Sequence, residues 1–239
     1  MKTYKIHLIR HGKTAANLDG RYIGRTDLPL SPLGEEELRQ LKAHYRYPEA
    51  ERVYSSPLAR CRKTATILYP RVPVSEVEGL READFGVFEG KTPYALKDDP
   101  DYQAWMKGGT PPEGEASEAF VRRVLEGFVG ILDDMKAREI RSAAVITHGG
   151  VIMTILAALG LPEHPPTDWQ TPSGGGYTLL ADVALWMRAG KLEVYRRIPD
   201  RGEETREYGV YTVRRDPDDP DDPDGMDDPD DWDGDCGEE

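Results

Sequence analysis

The chain has 239 residues, long enough to bury a sizeable core in one large domain or two small ones, which excludes a disulfide-stapled miniprotein. Cys61 and Cys236 stand far apart, the second in a polar tail, and there is neither an apolar leader nor a run of about eighteen apolar residues, so a cytoplasmic protein without a membrane span is expected. The net charge of -13 sits at one end: Asp216 to Glu239 holds twelve Asp, two Glu and no Lys or Arg, leaving 30 acidic against 31 basic residues elsewhere and no broadly basic face for nucleic acid.

Tyr4 to Arg10 is a β-branched and aromatic run ending at His11-Gly12, as in a strand that delivers its last residues to a loop. Ser31-Pro32 reads as an N-cap before a proline at the first helical position, with Leu38, Leu41 and Tyr45 on one face of the helix that follows. The same pair recurs at Ser56-Pro57, after a short strand from Arg52 to Ser55. It predicts a helix whose Leu58, Ala65 and Leu68 face a core and whose first turn holds Arg60. The longest helix is expected from Ser117 to Arg138, where Phe120, Val124, Phe128, Ile131 and Met135 recur at helical spacing. Ala143 to Thr147 reads as a buried strand ending at His148-Gly149-Gly150, and Val151 to Leu159 as an apolar helix. Tyr177 to Trp186 and Leu192 to Ile198 are predicted as late strands, separated by a turn at Arg188-Ala189-Gly190. Residues 214–239 repeat Asp-Pro and Asp-Asp with too little apolar surface to offset ordering entropy, so a disordered acidic tail is expected behind one domain, 1–213. The tail's glycines complete no EF-hand loop. A solubilising role, or recruitment of a basic partner, suits such a segment.

Strands that return through helices predict a three-layer α/β/α sandwich with a mostly parallel central sheet. Ligands bind such sheets at the carboxyl ends of the strands. The ends deliver Arg10-His11-Gly12, Ser55-Ser56 followed by Arg60, and His148-Gly149. Two arginines, two histidines and glycines near helix starts suit phosphate, because the planar guanidinium donates two parallel hydrogen bonds to its oxygens. A histidine there is either a nucleophile that carries the phosphoryl group or a donor to its oxygens. Taken alone, the Arg10-His11 pair fits a surface ion-pairing site better than a phosphate site; the blocks that accompany it reverse that. A zinc site built on His11 and His148 lacks any supporting His-x-x-x-His or Cys-x-x-Cys spacing. Cys61 reads as a small buried filler, and His7, His44 and His164 have no matching partners.

Leu8-Ile9-Arg10-His11-Gly12-Lys13-Thr14, with Asn17 following, resembles the signature of the histidine phosphatase superfamily, also called phosphoglycerate mutase-like. Further blocks come in that family's order: Gly20-Arg21-Tyr22-Ile23-Gly24, Leu30-Ser31-Pro32-Leu33-Gly34, Ser55-Ser56-Pro57-Leu58-Ala59-Arg60, Leu80-Arg81-Glu82 with Gly86 and Glu89-Gly90, and Thr147-His148-Gly149. The likeness covers roughly residues 4–160, and more loosely the strands to about 198.

The resemblance implies a metal-independent phosphomonoesterase that needs no cofactor and works through phosphohistidine at His11. Arg10, Arg60 and His148 would hold the transferring group, with Asn17, Gly12, Thr14, Gly24 and Gly149 on the substrate side. Glu82 matches the family's proton donor; the residues alone do not separate it from Asp84. Arg21 has two readings, contact with the phosphate or leaving group and a structural pair with Asp27. Where the family often has Glu after Arg-His-Gly, this chain has Lys13. The runs Gly20 to Ser31 and Pro112-Glu113-Gly114-Glu115 are similar to α-ribazole phosphatases and broad-specificity bacterial phosphatases. The expected substrate is therefore a small phosphorylated metabolite, with α-ribazole 5'-phosphate one candidate, bound by a monomer or homodimer. Ile23, Tyr94 and Trp105 are candidate pocket walls or core residues. The alternatives are a phosphoglycerate mutase-type transfer and a phosphate-binding regulatory protein that uses the acidic tail for interaction.

Overall fold

Strand β1 (Thr3–Arg10) enters the centre of the protein, and its second half is buried on both faces, as its unbroken apolar run requires. The computed structural model describes residues 3–200. Helices α1 (Ala15–Leu18) and α2 (Pro32–His44) follow, then β2 (Arg52–Ser55), α3 (Ala59–Leu68) and β3 (Val74–Glu76). Two short helices, α4 (Pro93–Leu96) and α5 (Pro100–Met106), precede the long α6 (Ser117–Ala137), β4 (Ser142–Thr147) and α7 (Gly149–Leu159). The described chain closes with β5 (Gly160–Leu161), β6 (Gly176–Asp182), α8 (Val183–Ala189) and β7 (Leu192–Ile198).

The strands form one seven-stranded sheet in the order β3-β2-β4-β1-β6-β7-β5. Pairing is parallel from β3 through β1 and between β5 and β7, and antiparallel on both sides of β6. Because side chains alternate across a strand, Ile6 and Leu8 of β1 face α6 and α7 while Ile9 faces α2 and α3. The result is the expected three-layer sandwich. All five residues of the predicted stripe on α6, Phe120 through Met135, are buried. A separate cluster of Phe88, Leu96 and Tyr102, with Tyr22, Phe85 and Trp105 packed on it, sits under α4 and α5. No helix among the described residues is long and apolar enough to cross a membrane. The expected acidic tail and residues 201–213 lie outside the described residues.

Three local features differ from expectation. The predicted strand from Tyr177 to Trp186 ends at Asp182, whose side chain accepts from the Leu185 N–H and starts α8. Gly190, at φ 63°, then ends that helix in the left-handed conformation that glycine adopts without strain, so the predicted turn is a helix stop. A capping carboxylate overrides the aromatic and β-branched composition. Ser31 caps α2 as expected, accepting from Gly34 N–H, but Ser56 does not cap α3, which begins at Ala59 with no side-chain cap.

Replacing Phe128, fully buried against the sheet, with Ala should lower the unfolding free energy by about 3–5 kcal/mol, against under about 0.5 kcal/mol for exposed Glu126→Ala. Urea denaturation measures both; equal effects would mean that α6 is not packed as described.

Candidate active site

Strand register brings the chemistry together. Arg10 pairs with Thr147 across β1 and β4, and Ser55 with Ile146 across β2 and β4, so His11, His148 and Ser56 leave three neighbouring strands at one edge. His11 N–H donates to Thr147 O at 2.9 Å and Ser56 N–H to Ile146 O at 2.9 Å, which extends the ladder one residue into the site. The two imidazoles meet edge to face with centroids 5.1 Å apart.

Each ring is fixed by partners that define its proton. His11 Nδ1 lies 2.7 Å from Gly12 O; a carbonyl only accepts, so Nδ1 carries the hydrogen and Nε2 keeps its lone pair. Arg60 Nε donates to His148 Nδ1 at 3.3 Å, which places the His148 hydrogen on Nε2, 2.8 Å from Ser56 Oγ. Ser56 is thus a site residue, absent from the sequence-based assignment because its Ser-Pro pair imitates a helix cap. Burial holds both histidines well below the ordinary value, reinforced for each by the charges of Arg60 and Arg10.

Arg60 is fully buried in the first turn of α3. Its Nη1 donates to Thr26 O at 2.8 Å and its Nη2 to Gly24 O at 2.6 Å. The loop offering those carbonyls is held by Glu89, whose Oε1 accepts from Gly24 and Arg25 N–H at 2.8 and 3.1 Å and whose Oε2 accepts from Thr26 Oγ1 at 2.6 Å. A Cβ at Gly24 would lie 1.8 Å from Ala83 O, so only glycine lets this loop pass the donor segment. Arg10 Nη1 donates to Thr171 O at 2.8 Å, beside Gly149 at the start of α7.

Glu82 is buried and reaches the same crevice: Oε2 accepts from Gly150 N–H at 3.0 Å and Oε1 from Ala83 N–H at 3.0 Å. A Cβ on Gly150 would come within 2.5 Å of Oε1, so the carboxylate uses the space that glycine leaves. Burial pushes the Glu82 carboxyl up, against the pull of those two N–H groups, Arg60 and Arg10. Asp84, its rival in the sequence, is spent on a turn: Oδ1 accepts from Gly86 N–H at 3.0 Å and Oδ2 pairs with Arg25 at 3.5 Å.

The predicted substrate-side residues divide. Gly12 N–H donates to Thr64 Oγ1, and Thr14 and Asn17 form the reciprocal cap of α1, so the last two order the loop after His11. Gly24 enters through its carbonyl and Gly149 through its place beside Arg10. Arg21 does not form the pair with Asp27. It is exposed, paired with Asp19 at 3.1 Å and donating to Gly90 O at 2.9 Å, while Asp27 accepts from Ala59 N–H instead. Lys13 turns to Glu37 at 3.6 Å. Trp105 belongs to the aromatic cluster, and Tyr94 is 72% exposed with Lys97 over its ring. Cys61 is a buried free thiol, pushed up to about 12 by burial. A cleft of about 930 Å³ lined by Lys42, Tyr47, Tyr69 and Arg196 among others holds none of the site residues. Among the described residues no three His, Cys, Asp or Glu side chains converge as a metal cage.

A positively charged, buried crevice with one imidazole lone pair and one carboxyl biased to keep its proton is equipped to receive an anionic group and protonate what departs. Comparison with known proteins agrees. The profile described as "Histidine phosphatase superfamily (branch 1)" matches residues 6–181. An adenosylcobalamin/alpha-ribazole phosphatase of Escherichia coli (strain K12) is 32% identical over 178 residues, 71% of this chain and 86% of that protein. A broad-specificity phosphatase of Saccharomyces cerevisiae is 31% identical over 168 residues, 67% of this chain and 72% of its own. The crystal structure of the alpha-ribazole phosphatase from Shigella flexneri superposes with a TM-score of 0.64 at 26% identity, covering 80% of this chain and 94% of the other.

The buried histidines make stability pH-dependent. His7, between Thr178 and Ser142 hydroxyls, is pushed down to about 4, mainly by burial, and with His11 and His148 it stays neutral in the fold while the unfolded chain takes up protons below about pH 6.5. Stability is therefore full above that pH and declines as pH falls; Glu82, shifted the other way, has the opposite sign and softens the decline. Urea unfolding should show lower stability at about pH 5 than at about pH 7, with His7→Gln reducing the slope by about one proton; a flat profile would contradict the burial.

Proposed function

The chain belongs to the histidine phosphatase superfamily, and from that membership we propose a phosphomonoesterase in which His11 is the nucleophile and Glu82 the proton donor. The observation that carries this reading is the Nδ1 hydrogen bond of His11 to Gly12 O, which leaves Nε2 unprotonated beside Arg60 and His148. Its depressed pKa keeps that lone pair available in mildly acid solution.

In the first half-reaction Nε2 of His11 attacks phosphorus, a P–N bond forms, and the P–O bond to the leaving group breaks. Glu82, whose carboxyl burial biases toward its protonated form, delivers a hydrogen to the departing oxygen. In the second, water attacks phosphorus, gives its proton to the Glu82 carboxylate, and displaces His11 with release of inorganic phosphate. The guanidinium groups of Arg10 and Arg60 hold the equatorial oxygens. An arriving dianion offsets both positive charges and favours protonation of His148 at Nδ1, which then donates to the phosphoryl group in place of accepting from Arg60 Nε.

A small phosphorylated metabolite is the substrate class. The alpha-ribazole phosphatases among the relatives support α-ribazole 5'-phosphate as the first compound to test, and the yeast broad-specificity enzyme supports a panel of sugar phosphates beside it. Within the same proposal, residues 1–213 act as the phosphatase domain of a cytoplasmic monomer or homodimer. Residues 214–239 form an appended acidic segment, open to a basic partner, that turnover does not need.

Phosphate release from 4-nitrophenyl phosphate in excess chelator tests the core of this reading. Wild type is expected to be active and His11→Ala to lose about three orders of magnitude or more; an equally active variant would remove His11 from the nucleophile role. Glu82→Gln should cost an alkyl phosphate about 100-fold in kcat/KM and the nitrophenyl ester far less, because a good leaving group needs little protonation. Isomerisation of 3-phosphoglycerate in place of phosphate release would favour the mutase alternative.

A further inference from the structure

Glu82 lies on an irregular segment: the last turn before it is the 3-10 turn Glu78–Leu80, and the next is Gly86–Phe88. No strand or helix of the fold holds residues 81–85. A general acid that must meet one departing oxygen needs its backbone fixed, since small misplacements cost large factors in rate. One side chain supplies that. Arg123, in the second turn of α6, has five N–H groups, and all five have an acceptor. Nε and Nη2 donate to the two carboxylate oxygens of Glu115 at 2.6 Å each, Nη2 also to Glu82 O at 3.0 Å, and Nη1 to Arg81 O at 2.7 Å and Gly79 O at 3.1 Å. Glu115 closes the bracket, its N–H donating to Asp84 O at 2.9 Å. The carbonyls before and at Glu82 thus converge on a single guanidinium, while the carboxylate is aimed the other way at Gly150.

We propose that Arg123, oriented by Glu115, is a positioning residue for the proton donor, setting the backbone from which Glu82 reaches the leaving oxygen. Lysine cannot reproduce the function, because its ammonium has three donors and no planar fork for a carboxylate and three carbonyls. The inference rests on Glu82 as donor, and its test separates the two. The readout is kcat/KM, which covers the steps up to the first phosphoryl transfer, for 4-nitrophenyl phosphate and for glycerol 2-phosphate.

Arg123→Lys should lower the glycerol phosphate value about tenfold and leave the nitrophenyl value within about twofold. Glu115→Gln, which keeps the guanidinium, should act in the same direction with smaller size. In a Glu82→Gln background, Arg123→Lys should add no further loss, since two residues that act as a unit are not additive. Equal loss for both esters, or an additive loss in the double variant, would mean that Arg123 only stabilises the fold and would overturn the proposal. Should Glu82→Gln itself show no leaving-group dependence while Arg123→Lys does, the donor assignment fails instead. Thermal unfolding of each variant shows that the folded protein is compared.

Discussion

A guanidinium buried without a carboxylate in contact is the constraint around which the site is arranged. Burying a charge is costly, and among the described residues Arg60 forms no ion pair within contact distance. Its positive charge is met by the carbonyls of Gly24 and Thr26 and by the imidazole of His148. These are dipoles, which compensate in part and leave the crevice electropositive. Burial first, and this field after it, make both histidines resist protonation, and the field makes an anion the natural visitor.

The carbonyls that hold Arg60 need holding themselves, and this sets a second tier of acidic residues behind the first. Glu89 grips the 24–26 loop through three groups; Glu115 orients the guanidinium that grips the 79–82 segment. Each carboxylate is spent on backbone amides, a hydroxyl or an arginine. Negative charge is thereby used for support while the crevice keeps its positive character, a division that a count of charged residues does not reveal. The body's near balance of 30 acidic and 31 basic residues hides a strong local separation.

The sequence makes legible whatever depends on short-range pattern. The strand ends at His11 and His148, the stripe on α6 and the Ser31 cap follow from period and dipeptide chemistry, and the three-layer order follows from their alternation. Failures occur where one local signal has two uses. Ser56-Pro57 has the same composition as Ser31-Pro32, but the parallel register with β4 puts the Ser56 hydroxyl against His148, and α3 starts three residues later, at Ala59. Tyr177 to Trp186 has strand composition throughout, and only the side chain of Asp182 divides it. Arg21 pairs with its neighbour Asp19, two residues away, while Asp27 is taken by the Ala59 N–H. Arg123 gives no sequence signal, because its partners are 8 to 44 positions distant and three of them are carbonyls.

The position of β1 has a bearing on how the molecule comes into being. Among the described strands β1 stands earliest in the chain, and it is flanked by β4 and β6, whose residues come more than 130 positions later. Until they emerge, both edges of an apolar strand are open on the nascent chain, the condition under which β-segments associate with the wrong partner. Contacts so distant along the chain give a high contact order and slow folding. Even His11 and Arg60, both present early, have no site until His148 is added, so the nascent protein acquires its chemistry only once the sheet has closed around β1.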